Sequence, residues 1–111
     1  MQLPDFIRKF PALDVPFPED VVRSYAVRSD AGLVVFFDFV KDLVLPPPSH
    51  LAPWGPGLSG EIAFTIAGET RTMGPGAVYD IPSGAEHSAI IKAGTKVIDV
   101  FEEPDRYPVK G

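Results

Sequence analysis

The sequence predicts an all-β domain, built as a sandwich or a barrel, and three observations lead to this fold class. Thirteen prolines among 111 residues argue against long helices, because each removes a backbone donor. Short apolar segments alternate with glycine- or proline-rich turns at intervals of about eight to twelve residues, which is typical of a sandwich or barrel. The hydrophobic fraction of 45% is that of a globular chain, and the length allows one modest core.

The predicted strands follow in chain order. The first covers Val21 to Val27 and ends in a turn at residues 29–32, after which Leu33 to Val40 gives the strongest strand signal. This second strand has apolar side chains on both parities, so both of its faces should be covered. Leu43-Val44-Leu45 then leads into three prolines. Later strands are predicted at Glu61–Ala67, Thr70–Met73, Ala77–Ile81, Ser88–Lys92 and Lys96–Phe101, and a solvated tail is predicted from Glu102.

The chain divides into an N-terminal arm, residues 1–20, and a barrel, residues 21–111. The arm is rich in proline and has room for one helical turn between Pro4 and Phe10. Its apolar side chains need a surface to lie on, and two alternatives remain open: the arm covers its own barrel, or it reaches a partner subunit. Together with the sheet edges of so small a barrel, the arm favours a homodimer.

The segment from Gly74 to His87 has the most specific local pattern. Gly74-Pro75-Gly76 must turn, Val78-Tyr79-Asp80-Ile81 favours a strand, and Pro82-Ser83-Gly84 turns the chain again before His87 enters the next strand. The spacing of Gly76, Pro82, Gly84 and His87 resembles the second motif of the cupin superfamily, although Ala77 and Ile91 depart from the usual pattern. The resemblance covers about Phe37 to Phe101 and implies a small single-domain cupin, an RmlC-like jelly roll or double-stranded β-helix.

The resemblance also implies a site for a divalent metal such as Zn, Ni, Mn or Fe, held by three histidines and one Glu or Gln. When the first motif is aligned back from Gly60, His50 occupies one histidine position and His87 occupies the position in the second motif. The other two ligand positions hold Pro48 and Pro53, whose side chains offer no donor. The first metal motif is therefore incomplete, and only His50 and His87 remain as candidate metal ligands.

Three further residues are expected at the pocket. Tyr79, by its place in the motif, and Ile91, by parity with His87, should face the barrel interior. Prolines and glycines between Pro53 and Gly57 predict that this segment bows outward as a loop. Trp54 then lies either near the barrel mouth, in contact with a ligand or subunit, or as ordinary core that caps the barrel. Asp99, the acid inside a late apolar strand, is predicted to be a hydrogen-bonded structural carboxylate.

Composition limits the functions to be considered. The net charge of −5 and the absence of a Lys/Arg cluster argue against nucleic acid as a partner, and the lack of cysteine excludes disulfides and thiolate chemistry. No basic-then-apolar leader or membrane-spanning run is present, so a cytoplasmic protein is expected. The sequence favours a small-molecule-binding pocket at the barrel mouth with a degenerate metal site. The alternatives are a metal-dependent enzyme of oxygenase, isomerase or decarboxylase type that uses His50 and His87, and a barrel that serves mainly as a dimer unit.

Overall fold

The structure, a computed structural model, describes residues 1–49, 53–81 and 86–110, and for residues 46–49 it describes the backbone alone. A single 3-10 turn, Ile7–Lys9, lies in the N-terminal arm where one helical turn is predicted. The strands are β1 (Val22–Ser29), β2 (Gly32–Phe39), β3 (Leu43–Ser49), β4 (Trp54–Ser59), β5 (Ile62–Ile66), β6 (Glu69–Met73), β7 (Val78–Asp80), β8 (His87–Ile91) and β9 (Lys96–Phe101).

The strands form two antiparallel sheets that enclose the core. One sheet has the order β1-β2-β9-β4-β7 and the other the order β3-β8-β5-β6. After β2 the chain crosses repeatedly from one sheet to the other, so each sheet is assembled from strands far apart in sequence. Inward-facing side chains of both sheets form this core, and the most deeply buried include Leu33, Val35, Val97 and Phe101 on one sheet and Ala89 on the other. The predicted all-β class is confirmed.

Strand β2 shows how the two-sided apolar pattern is accommodated. Its odd-numbered side chains, from Leu33 to Phe39, are buried between the sheets, whereas the even-numbered ones are half-buried on the outer face. Part of the cover on the outer face comes from the arm, because the ring of Phe10 lies 6.2 Å from that of Phe36. The second face is therefore covered only in part.

The segment after Pro53 differs from its prediction. Residues Trp54–Ser59 form strand β4, which pairs with β7 on one side and β9 on the other, so the predicted outward loop is wrong. The glycines that indicated a loop serve a close backbone approach instead: a Cβ at Gly55 would lie 1.7 Å from the carbonyl oxygen of Ile98. Next to Pro56, which lacks a donor, Gly57 donates its N–H to Ala77 and accepts the N–H of Gly76.

Both chain ends pack onto the barrel. In the arm, Leu13 is buried and donates its backbone N–H to the hydroxyl of Ser24, and Pro11 accepts the N–H of Ala26. The arm thus contacts its own barrel. Near the other end, Glu102, Glu103 and Asp105 are exposed, as expected for a solvated tail. The prediction is wrong at Tyr107, which packs edge-on against two aromatic rings of the core. Within the described ranges, no helix has the length and apolar character needed to cross a bilayer.

Candidate functional site

A cavity of about 60 Å³ lies inside the barrel between the two sheets. Its described walls are apolar except at four side chains, which are Tyr79, His87, Asp99 and Tyr107. Carboxylates and phenols are seldom buried in an apolar wall without a partner, because removing them from water costs free energy unless a hydrogen bond replaces the solvent. The polar side chains are therefore the groups in this cavity that could bind a polar ligand or transfer a proton.

Tyr79 and Asp99 form a hydrogen-bonded pair inside the cavity. The Tyr79 hydroxyl donates to Oδ1 of Asp99, and both side chains are buried. Tyr79 lies on β7 and Asp99 on β9, two strands that do not pair with each other because β4 runs between them. The hydrogen bond therefore spans the inner face of β4 and depends on what that strand presents there.

Gly55 is the residue that lets the pair form. It is in register with Tyr79 on one side, and the pairing of Trp54 with Val100 places it opposite Asp99 on the other. Because Gly55 has no side chain, nothing on β4 stands between the phenol and the carboxylate. Glycine is therefore required at position 55 for two reasons. A side chain there would overlap the Ile98 carbonyl, and it would also stand between Tyr79 and Asp99.

Burial sets the protonation of the pair. Loss of hydration raises the pKa of Asp99 to about 7, and the hydrogen bond from Tyr79 opposes part of that rise. Burial also raises the pKa of Tyr79 well above its ordinary range, with a further contribution from the nearby Asp99 charge. The phenol consequently stays protonated, while Asp99 exchanges its proton near neutral pH, which is the property of a group suited to proton transfer.

Aromatic rings from separate parts of the chain complete the walls. The ring of Phe64, on the opposite sheet, lies 5.1 Å from that of Tyr79 and fixes its direction. Tyr107 stands edge-on to Phe37 at 6.4 Å and to Phe101 at 5.8 Å, and burial raises its pKa. The arm also contributes side chains to the wall, so the cavity is closed partly by segments outside the two sheets.

Comparison with solved structures identifies this arrangement of strands. KdgF from Halomonas sp. superposes with a TM-score of 0.70 at 23% sequence identity, over 89% of this chain and 90% of that one. An RmlC-like cupin from Shewanella frigidimarina gives a TM-score of 0.68 at 17% identity, over 89% and 87% of the two chains. A cupin superfamily protein from Desulfitobacterium hafniense gives 0.64 at 20% identity, over 79% and 83%.

The chain has the cupin fold. The predicted jelly roll and the resemblance to the cupin superfamily are thereby confirmed at the level of the fold. No protein-family model matches the sequence, and no curated protein sequence matches it. Because one fold hosts many activities, the likeness leaves the function to be argued from the site.

The residues present do not fit the metal set that the cupin fold implies. His87 is buried, opens β8 and lines the cavity in register with Ser49 and Ile66. Pro53 also lines the cavity, at a position where the motif calls for a Glu or Gln, and supplies no donor atom. His50 lies outside the described residues. Across the parts of the chain that are described, no three His, Asp or Glu side chains cluster closely enough to hold a metal ion.

The other predicted pocket residues separate into two groups. Tyr79 and Ile91 are buried and line the cavity beside His87. Trp54 lies elsewhere: its side chain projects from the outer face of β4 and is 51% exposed. Trp54 points outward because residues 54–59 form a strand and not the predicted loop. Successive side chains of a strand lie on opposite faces, so Trp54 points outward where its neighbour Gly55 faces the interior.

Sequence reasoning singled out Asp99 but missed its partner and its place in the cavity. The available signal was an acid at the inward parity of an apolar strand, a tyrosine in the motif, and a glycine on a third strand. What connects these three is the order β9-β4-β7, which no local pattern reveals. Tyr107 was missed because it follows a charged, proline-containing segment that reads as solvated.

Proposed function

We propose that this chain binds a small, mainly apolar molecule that carries an oxygen atom, and that the oxygen lies against the Tyr79–Asp99 pair inside the barrel. The observation that carries the proposal is the burial of this pair in an otherwise apolar cavity. Apolar walls with a few convergent polar groups are typical of small-molecule sites, where the polar groups orient the ligand.

The protons of the pair determine which oxygen it accepts. With Asp99 protonated, the pair holds two protons, of which one is used between Tyr79 and Asp99 and the other is left to donate to a ligand. With Asp99 ionised, the remaining proton is occupied within the pair, and the carboxylate can only accept. A carbonyl ligand, which only accepts, therefore binds the protonated pair, whereas an alcohol, which donates and accepts, binds either form.

The cavity volume limits the size of the ligand. About 60 Å³ is room for roughly two water molecules, and an engineered apolar cavity of about 150 Å³ is known to hold benzene. On that scale, of about 25 Å³ per heavy atom, the closed barrel accommodates two or three heavy atoms, so the four-atom probes acetone and 2-propanol already need a small displacement of the wall. Larger ligands require part of the wall to move, and Phe17 and Tyr107 are suited to this because they lie outside the paired strands.

The test is a titration with acetone and 2-propanol, followed by the backbone amide shifts of nitrogen-15-labelled protein in the presence of a chelator. Above a pH of about 7, the affinity for acetone is expected to fall about tenfold for each pH unit, because only the protonated fraction binds. The affinity for 2-propanol is expected to change by less than about threefold, since its hydroxyl suits both forms. The shifted amides should be those of the cavity walls.

Asp99→Asn provides the matched control. Its amide donates and accepts at every pH, so acetone should still bind but the dependence on pH should disappear. The proposal fails if acetone binds the wild-type protein equally well on both sides of neutrality, or if the shifted amides lie away from the cavity. Absence of binding by either probe at molar concentration would also contradict it.

A second candidate function, proton transfer on a carbonyl ligand, is favoured by the pKa of about 7 for Asp99. In the fraction of bound molecules in which Asp99 is ionised and the Tyr79 hydroxyl donates to the ligand oxygen instead, the carboxylate would take a proton from the carbon next to the carbonyl. The electrons of that C–H bond would form the enolate, and the protonated Asp99 would return the proton to carbon. In D₂O the product carries deuterium, so exchange of the acetone methyl protons measures the reaction. Catalysed exchange that is lost in Asp99→Asn supports this candidate, and exchange no faster than in buffer excludes it for acetone.

Metal-dependent chemistry is the competing proposal. It relies on His50 and His87, and of these His87 is the one with a described position, in the cavity wall. Two imidazoles without a third protein ligand bind divalent metals weakly. Acetone binding that survives a chelator supports the metal-free pocket, whereas binding that requires added Zn²⁺ or Ni²⁺ would support the metal-dependent alternative.

A further inference from the structure

The outer face of the five-stranded sheet carries a continuous apolar surface. The strand registers align the outward side chains in two rows that cross the sheet. One row consists of Val27, Val34, Val100 and Trp54, and the next of Tyr25, Phe36, Ile98, Pro56 and Val78; the first row ends on β7 at the charged Asp80, which lies outside this set. We call these nine side chains the apolar face; none of them is charged.

The outer face of the other sheet has a different composition. Its centre carries Ser88, Thr65 and Thr70, and the two threonine hydroxyls are hydrogen-bonded to each other at 2.7 Å. Val44 and Ile90 are exposed there, and their row continues through the small Ala63 to the polar Thr72. The two sheets therefore present unequal surfaces, and the apolar face is the one that contact with water disfavours.

A projecting side chain and a groove lie next to each other on the apolar face. Trp54 projects from β4, and beside it runs an open groove of about 550 Å³ whose walls include Val27, Val34 and Val100. A projection beside a complementary depression can pair with its own copy by a twofold rotation, which places each projection in the other copy's groove. Asp80 and Glu102 also border the groove and give it an acidic rim.

We propose that the apolar face is the interface of a homodimer, with Trp54 of each copy seated in the groove of the other. Exposed tryptophan next to an apolar depression has the character of an interface hot spot. A second copy is compatible with the charge pattern, because the centre of the face is uncharged and the acidic side chains of each chain, Asp80 and Glu102, lie at the rim, where water and salt screen their mutual repulsion.

The size of the face agrees with a dimer of moderate strength. Five strands at about 4.8 Å spacing and two rows of alternate residues give a flat area of roughly 340 Å². A standard interface buries about 800 Å² on each partner, so the face supplies the apolar centre and the surroundings supply the rest. The arm extends the same surface, because Phe10 packs on Phe36 and the 63%-exposed Phe6 packs on Phe10. We expect a dissociation constant of about 1–100 µM.

Trp54 is the single tryptophan of the chain, so its fluorescence reports on the interface alone. In a dilution series from about 500 to 0.5 µM, sedimentation should show dimer passing to monomer. The emission maximum should move to longer wavelength over the same range, and iodide quenching should increase as Trp54 becomes exposed. Coincidence of the two transitions is the expected result. A chain that stays monomeric throughout, or a dimer whose Trp54 is quenched as readily as in the monomer, overturns the proposal.

Two substitutions of matched exposure locate the interface. Val27→Glu puts a charge into the groove and should raise the dissociation constant at least tenfold, because the charge would be buried in the dimer. Ile90→Glu puts the same charge on the other sheet and should leave the constant unchanged. Circular dichroism and thermal unfolding check that both variants fold, and Trp54→Ser provides an independent variant for sedimentation. The opposite pattern, with dissociation caused by Ile90→Glu and not by Val27→Glu or Trp54→Ser, contradicts the assignment.

Discussion

Asp99→Asn should remove a large pH-dependent loss of stability from the wild-type protein. The pKa of Asp99 is about 7 in the folded chain, against an ordinary value of 3.8 for the exposed side chain. The folded chain therefore binds this proton more tightly than the unfolded chain, and the free energy of unfolding must fall as the pH rises. The loss begins near 3.8, where the unfolded carboxyl ionises, and is complete above about 7. Its total is about 4 kcal/mol for a pKa difference of this size.

Asparagine suits this test because it is nearly the same size, carries no charge and keeps an oxygen that accepts the Tyr79 hydroxyl. Urea unfolding, followed by far-ultraviolet circular dichroism at several pH values and one protein concentration, gives the free energies. The difference between variant and wild type should grow in favour of the variant as the pH rises through this window. The exposed carboxylates Glu19 and Asp20, whose pKa values are lowered by hydrogen bonds from Lys110 and Lys41, contribute equally to both proteins and cancel.

Asp105→Asn is the control, because Asp105 is an exposed carboxylate outside both the cavity and the groove beside Trp54. It should follow the wild-type curve throughout. If wild type and Asp99→Asn show parallel curves between these pH values, Asp99 is hydrated in the folded chain, and the reasoning that its burial raises the pKa to about 7 is refuted.

Gly55→Ala should destabilise the fold by at least about 3 kcal/mol, because its Cβ would overlap the Ile98 carbonyl. Gly74→Ala is the control and should cost less than about 1 kcal/mol, because its Cβ would have no atom within 4 Å. Urea unfolding of both variants measures the two free energies. Deleting residues 1–17 should lower the melting temperature, since it removes the buried Leu13 and also Val15 and Phe17, which line the cavity. An unchanged melting temperature would show that these contacts do not stabilise the fold. Elemental analysis after dialysis against a chelator should find well under one transition metal per chain, because Pro48 and Pro53 occupy two of the four metal-ligand positions of the cupin motif. One tightly held metal per chain would contradict that reasoning.

Much of the fold could be predicted because the responsible signals are local. Glycine and proline turns bounded the apolar segments, and the strands from β5 to β9 lie within one or two residues of their predicted ranges. The exception was β4, where two glycines and two prolines between residues 53 and 57 suggested a loop. Their role becomes visible only when β9 is placed beside them, because a close approach between strands is a property of the sheet and not of the segment.

The site was predictable only where it coincided with the motif. Tyr79, His87 and Ile91 could be assigned to the interior from turn spacing and strand parity, and they do line the cavity. The hydrogen bond to Asp99 could not be foreseen, since it joins residues on two strands that are separated by a third. The position of Tyr107 depends on a segment without regular secondary structure, whose path is set by ring contacts with Phe37 and Phe101.

The barrel holds the Asp99 carboxyl buried in a mainly apolar cavity, where it exchanges its proton near neutrality. The most direct test is a carbon-13 titration of the Asp99 side-chain carboxyl, assigned by comparison with Asp99→Asn. The midpoint should lie near 7. A midpoint near 4, the ordinary range for an exposed aspartate, would show that water reaches this carboxylate and would contradict the account.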